Sequence, residues 1–156
     1  MKRIIITLTS TLLIILLVNS CASVNSVAKR ITIESGEIPP DMKMESFILI
    51  GILKEKKSYD KYVKKEYATY TGNYTLATEK ELTTKYNDIT KYRYFMDYHE
   101  EHSSSYSNGS FHNTTGYRYY IYDRKEKKEY LRESRSSFFA LEMKAYLIAI
   151  ESVRKK

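Results

Sequence analysis

Glu45-Ser46-Phe47-Ile48-Leu49-Ile50-Gly51-Ile52-Leu53 (ESFILIGIL) is the most apolar run after residue 21. It is short, rich in isoleucine and bounded by charged residues. A run of that length without polar alternation predicts a strand buried on both faces, at the centre of a sheet covered on two sides. Gly51 leaves room for a helix to approach closely.

Downstream of this strand the elements alternate. Ser58 is placed to cap a helix from Tyr59 to about Thr71, with Tyr59, Tyr62, Val63, Tyr67 and Tyr70 near one face. Gly72-Asn73 stops it, and Tyr74 to Ala77 suits a short strand. Thr78 and Glu81 match a capping box that starts a helix through Leu82 to about Tyr86. Lys91 to Tyr98 alternates: Tyr92, Tyr94, Met96 and Tyr98 share one face, and Arg93, Phe95 and Asp97 the other. Tyr117 to Asp123 and Glu129 to Arg132 read as two more strands. Ser136 or Ser137 starts a last helix, to about Val153, with a wide apolar face that includes Phe138, Leu141, Ala145 and Ile148. The order predicts an α/β or α+β domain over 45–156, a small mixed sheet of about five strands covered by about three helices.

Upstream, Ala22 to Met44 reads as a tether. Ser35, Gly36 and Pro39-Pro40 break any steady period, and paired prolines favour extended backbone. Residues 1–20 have the order of a secretory signal peptide. Lys2 and Arg3 precede an uncharged run from Ile4 to Val18. As a helix that run spans about 22 Å, short of the roughly 30 Å hydrocarbon core.

Val18-Asn19-Ser20-Cys21 resembles the lipobox of bacterial lipoproteins. Val18 is the aliphatic residue three before the cysteine, and Ser20 the small one just before it. Asn19 is less usual at the middle position. The resemblance covers residues 1–21. It implies cleavage before Cys21, a diacylglyceryl thioether on its sulfur, and acylation of the new amino group with a palmitate-type chain. Two or more acyl chains hold a protein on a membrane stably. The lysine-, isoleucine- and tyrosine-rich character also resembles uncharacterised lipoproteins of Bacteroidota-type bacteria. The chain lacks an acidic run straight after Cys21, so the expected place is the outer membrane, facing the periplasm.

Composition narrows the function. Among 156 residues there is one cysteine, so no internal disulfide forms. The formal charge is +7, yet Glu55, Glu126 and Glu129 interleave with the lysine clusters around Lys56 and Lys127. A nucleic-acid surface needs a coherent positive stripe, so no nucleic-acid partner is expected; weak attraction to anionic lipid or glycan stays open. No GxSxG, P-loop or dinucleotide loop is present, and no cofactor is implied; a hydrolase is the least supported class.

The segment from His99 to Gly116 reads as a long mobile loop between strands, and long loops are often functional. His99, His102 and His112 could in principle serve a metal, but HEEH fits no named ligand spacing. Tyr106 and Phe111 are aromatic anchors among hydroxyl and amide groups. These five residues are the candidate binding set. Sixteen tyrosines are mostly assigned to packing, with an exposed row as the alternative. The expectation is a non-catalytic binding or assembly module with an envelope protein partner. The alternative is a ligand-binding lipoprotein for a metal or glycan, using this loop or the tyrosine face.

Overall fold

Both faces of the Leu49–Leu53 strand, β1, are covered. The computed structural model describes residues 24–44 and 46–155. Leu49 and Leu53 join the main core, while Ile50 and Ile52 point into a smaller cluster on the other side. The elements that follow are α1 (Lys57–Tyr67), β2 (Tyr74–Thr78), α2 (Glu79–Thr84), β3 (Tyr94–Ser107), β4 (Ser110–Asp123), β5 (Lys128–Leu131) and α3 (Phe139–Arg154).

The sheet is mixed, five-stranded and ordered β2-β1-β3-β4-β5. β1 runs parallel to β2 and to β3. The β3-β4 and β4-β5 pairs are antiparallel. This is the expected α+β arrangement, with α1 and α3 over one face and α2 at the other.

Local chemistry explains most boundaries. The capping box forms: the Thr78 amide donates to Glu81 Oε2 at 2.8 Å, and the Glu81 amide donates to Thr78 Oγ1 at 3.3 Å. Ser58 does not cap α1, which starts at Lys57 without a side-chain cap. Instead Asp60 Oδ1 accepts the Lys54 amide at 3.0 Å and ties the turn before the helix. Ser136 does not cap α3 directly either. Its backbone pairs with Tyr117, and its Oγ accepts the Phe138 amide one turn early. The alternation of β3 holds from Tyr94 onward. Tyr92 precedes the strand and turns to the small cluster, stacking edge-on against Tyr86. Arg93 is buried, donating to Asp123 at 2.7–3.1 Å and to Asp41 at 2.6 Å.

The tether reading fails for 24–44. Residues 24–28 are helical, and Pro40–Lys43 forms a 3-10 turn. Ala28, Ile31, Ile38 and Met42 are buried in the main core. Glu37 accepts from Arg132 Nη1 at 3.1 Å, and Arg132 Nε lies 3.1 Å from Glu142 on α3. These apolar residues enter the core from a short helix, a loop and a 3-10 turn in succession, so they show no single period. The folded unit therefore includes 24–44. The signal peptide, the Val18–Cys21 lipobox and Cys21 lie outside the described residues. Among the described residues no helix is long and apolar enough to cross a membrane.

Candidate functional site

The segment read as a mobile loop is a β-arm. β3 and β4 stay in register to Ser107 and Ser110, joined by Asn108-Gly109. Asn108 has φ 51° and Gly109 φ 77°, the left-handed pair that a type I′ turn needs. Asparagine and glycine adopt that geometry at low cost, so the turn sets the register of the whole arm.

The register also shows which backbone groups face outward. A two-residue turn makes Ser107 and Ser110 a hydrogen-bonded pair, and bonding alternates from there. Odd-numbered β3 residues then bond across the hairpin, and Glu100, His102, Ser104 and Tyr106 turn their amides and carbonyls outward. On β4 the outward residues are odd-numbered. Tyr119 O accepts the Arg132 amide at 3.0 Å, and Tyr117 exchanges bonds with Ser136 at 2.9 Å. Thr115 O receives Ser137 Oγ at 3.5 Å. Among the described residues no strand borders the arm beyond these points. β1 stops pairing with β3 at Met96, and β5 pairs only from Tyr120.

From Glu101–Gly116 to Ser107–Ser110 the arm has seven rungs, roughly 20 Å at about 3.3 Å per residue. It has almost no core of its own. Ser103 and Thr114 hydroxyls meet at 2.7 Å, and His102 Nδ1 lies 3.1 Å from Thr115 Oγ1. Arg118 Nε donates to Glu101 at 2.6 Å near the base. At the tip Tyr106 and Phe111 pair across the strands at 4.9 Å, yet remain 65% and 78% exposed.

Alternation separates the three histidines. His99 and His112 share a face but are six residues apart along the ladder, about 20 Å. His102 is on the opposite face. His99 stacks on Tyr120 at 4.6 Å, with Nε2 3.0 Å from Glu129. The imidazoles do not converge, and among the described residues no group of three His, Cys, Asp or Glu is placed to hold a metal. Tyr106 and Phe111 do come together; the histidines do not join them as one site.

Two features at the base escaped the sequence reading. The first is a hollow of about 300 Å³ lined by Tyr59, Tyr62, Tyr98, Tyr117 and Phe139, with Lys56 and Glu100 at its rim. Its residues come from four elements, α1, β3, β4 and α3, spread along the chain. The second is an ion cluster just past the ends of β1 and β2, beside Asp97 of β3. Lys54 reaches Asp97 Oδ2 at 2.5 Å and Glu79 Oε1 at 2.8 Å. Burial pulls the Lys54 ammonium down, but the two carboxylates outweigh it and hold its pKa above the usual value. Burial raises Asp97 above the usual carboxylate range, and Lys54 only partly reverses that. The Tyr120 hydroxyl donates to the same Asp97 oxygen at 3.4 Å. The cluster sits where β1 leaves β3, four rungs below the first rung of the arm.

No protein-family model, curated protein or solved structure matches this chain.

Proposed function

We propose that this chain is a lipid-anchored lipoprotein of the bacterial envelope, held through Cys21 on the periplasmic face of the outer membrane. It acts as a non-catalytic binding module that recruits an envelope protein through the β-arm. The single observation behind this reading is the arm itself: seven rungs with two unbordered edges and an exposed aromatic pair at the tip. Isolated two-stranded ribbons are marginal in water. Open edges offer a row of amides and carbonyls that an extended strand of another protein can complete. The tip aromatics then supply the desolvated anchor that such a contact needs.

A photocrosslinking residue placed at Phe111 tests this in intact envelopes. The expected result is one dominant covalent protein adduct from Phe111 and none from a control at Lys64 on α1. Adducts equal at both positions, or absent at both, would count against the reading.

The tyrosine hollow favours a second reading, in which a small glycan stacks on Tyr62 and Phe139. Aromatic faces with a charged rim suit sugar rings and hydroxyls. Glycan binding that Tyr62→Ala abolishes and arm trimming leaves intact would favour this reading over the first.

A further inference from the structure

Another hollow, larger than the tyrosine one, lies toward the other end of α3. It is a groove of about 450 Å³ between residues 25–43 and the carboxyl-terminal half of α3. Ile31, Ile33, Ile148 and Val153 form its apolar wall, and Lys29 and Lys43 stand on its rim beside Glu34. A neighbouring hollow of about 260 Å³ shares Ile148 and Ser152 with it and adds Lys144 and Lys155. The acid there, Glu151, is already met by Arg154 at 3.0 Å and Lys155 at 3.4 Å. The face is thus apolar in its depth, with cations in excess at its border.

Its place in the chain points to an occupant. Residues 24–44 are part of the fold, with Val24 and Val27 packed against the main core. Cys21 is three residues before Val24, a reach of at most about 11 Å. A lipid on Cys21 would therefore bring this face to the bilayer instead of suspending the domain above it. The base of the arm touches α3 at Phe139, whereas the groove uses Ile148 and Val153, toward the other end of that helix.

We infer that the groove face lies directly on an anionic lipid bilayer, with Lys29, Lys43, Lys144 and Lys155 at the headgroups and the isoleucine wall against the acyl boundary. This rests on the lipoprotein reading and adds an orientation: groove down, arm outward. Anionic headgroups attract lysines near the surface, each worth about fivefold in partitioning at low salt.

The test uses the full lipidated protein on vesicles of phosphatidylglycerol with phosphatidylethanolamine, compared with phosphatidylcholine alone. Hydrogen exchange is read at residues 28–33 and 148–155, and the mass of the Cys21 peptide in the same sample. The expected result is at least about fivefold slower exchange at both segments on anionic vesicles, lost in 0.5 M salt. The triple variant Lys29→Glu, Lys43→Glu, Lys155→Glu should lose it too while keeping its circular dichroism. A lipidated Cys21 with no such protection overturns the orientation alone. An unmodified Cys21 overturns the anchor, and this inference with it. Protection that depends on protein concentration and not on lipid charge assigns the groove to a second copy and overturns the bilayer.

Discussion

Single residues explain how β1 can be buried on both faces. Leu49, Ile50 and Ile52 fill the two sides, but Gly51 does the opposite: it makes room. A Cβ built there would sit 2.6 Å from Tyr67 Cζ and 2.8 Å from Leu76 Cδ2. Tyr67 is fully buried, and its ring closes the space between α1 and the sheet. Half-buried Leu76 can turn aside, but Tyr67 has no room to move, so an added methyl must shift the helix or strain the tyrosine rotamer. Gly51→Ala is expected to lower stability by about 1–3 kcal/mol, read as a drop in Tm of roughly 3–5 °C per kcal/mol for a fold of this size. A melt within a degree of the parent would mean that the helix relaxes freely there. The sequence suggested a close approach at Gly51, and the structure names its partner as a tyrosine of the same helical face that the spacing picked out. Other tyrosines follow that pattern: Tyr59, Tyr94, Tyr119 and Tyr146 are core residues, with Tyr59 against Phe139, Tyr94 against Phe47, and Tyr119 against Tyr146. Burial raises the phenol pKa of Tyr59, Tyr119 and Tyr146, so they stay neutral hydroxyl donors, as where Tyr146 donates to Tyr119 O at 3.2 Å.

At the scale of elements, the alternation of Tyr94 to Tyr98 and the Thr78–Glu81 box were legible because one local rule decides each of them. The arm was misread for a reason that is also local. Ser103 to Ser105, Asn113 and Thr114 carry no hydrophobic alternation, so nothing announces a strand. Asn108-Gly109 was the signal that could have found it, since that dipeptide is the strongest short-range mark of a two-residue hairpin. An arm without a core should be separable from the fold. Replacing His102–Thr115 by Asn-Gly keeps Glu101 and Gly116 as the hydrogen-bonded pair that such a turn requires. The shortened chain is expected to melt within about 2 °C of the parent, because the removed residues bury almost nothing. A fall of roughly 10 °C or more would make the arm part of the fold and weaken its reading as a binding appendage.

For the whole molecule, the decisive contact is one that no local pattern could announce. Glu37, Arg132 and Glu142 are almost fully buried and come from the amino-terminal segment, the end of the sheet and α3. They join residues 95 positions apart, and the segment between Gly36 and Pro40 looks like a linker because only its partners give it order. Arg132 Nε faces Glu142 Oε2 without the geometry of a directed hydrogen bond, so its charge, more than its donors, satisfies that side. Removing the arginine leaves two carboxylates in the core. Arg132→Met is therefore expected to cost about 3–5 kcal/mol at pH 7, measured by urea unfolding. The pH dependence has a definite sign. Burial already raises Glu37 above its usual pKa even beside Arg132. Without the guanidinium it rises further, so the folded variant binds protons more readily than the unfolded chain. Its stability must then increase as pH falls from 7 through that raised pKa, opposite to a protein held by ionised carboxylates. Replacing Glu37 and Glu142 by Leu in the same variant should restore most of the loss and flatten the pH response, since an all-apolar cluster has no charge to desolvate. A variant that is equally stable at pH 7 and pH 5, or that loses less than about 1 kcal/mol, would show that the amino-terminal segment is held by Ile31, Ile38 and Met42 alone.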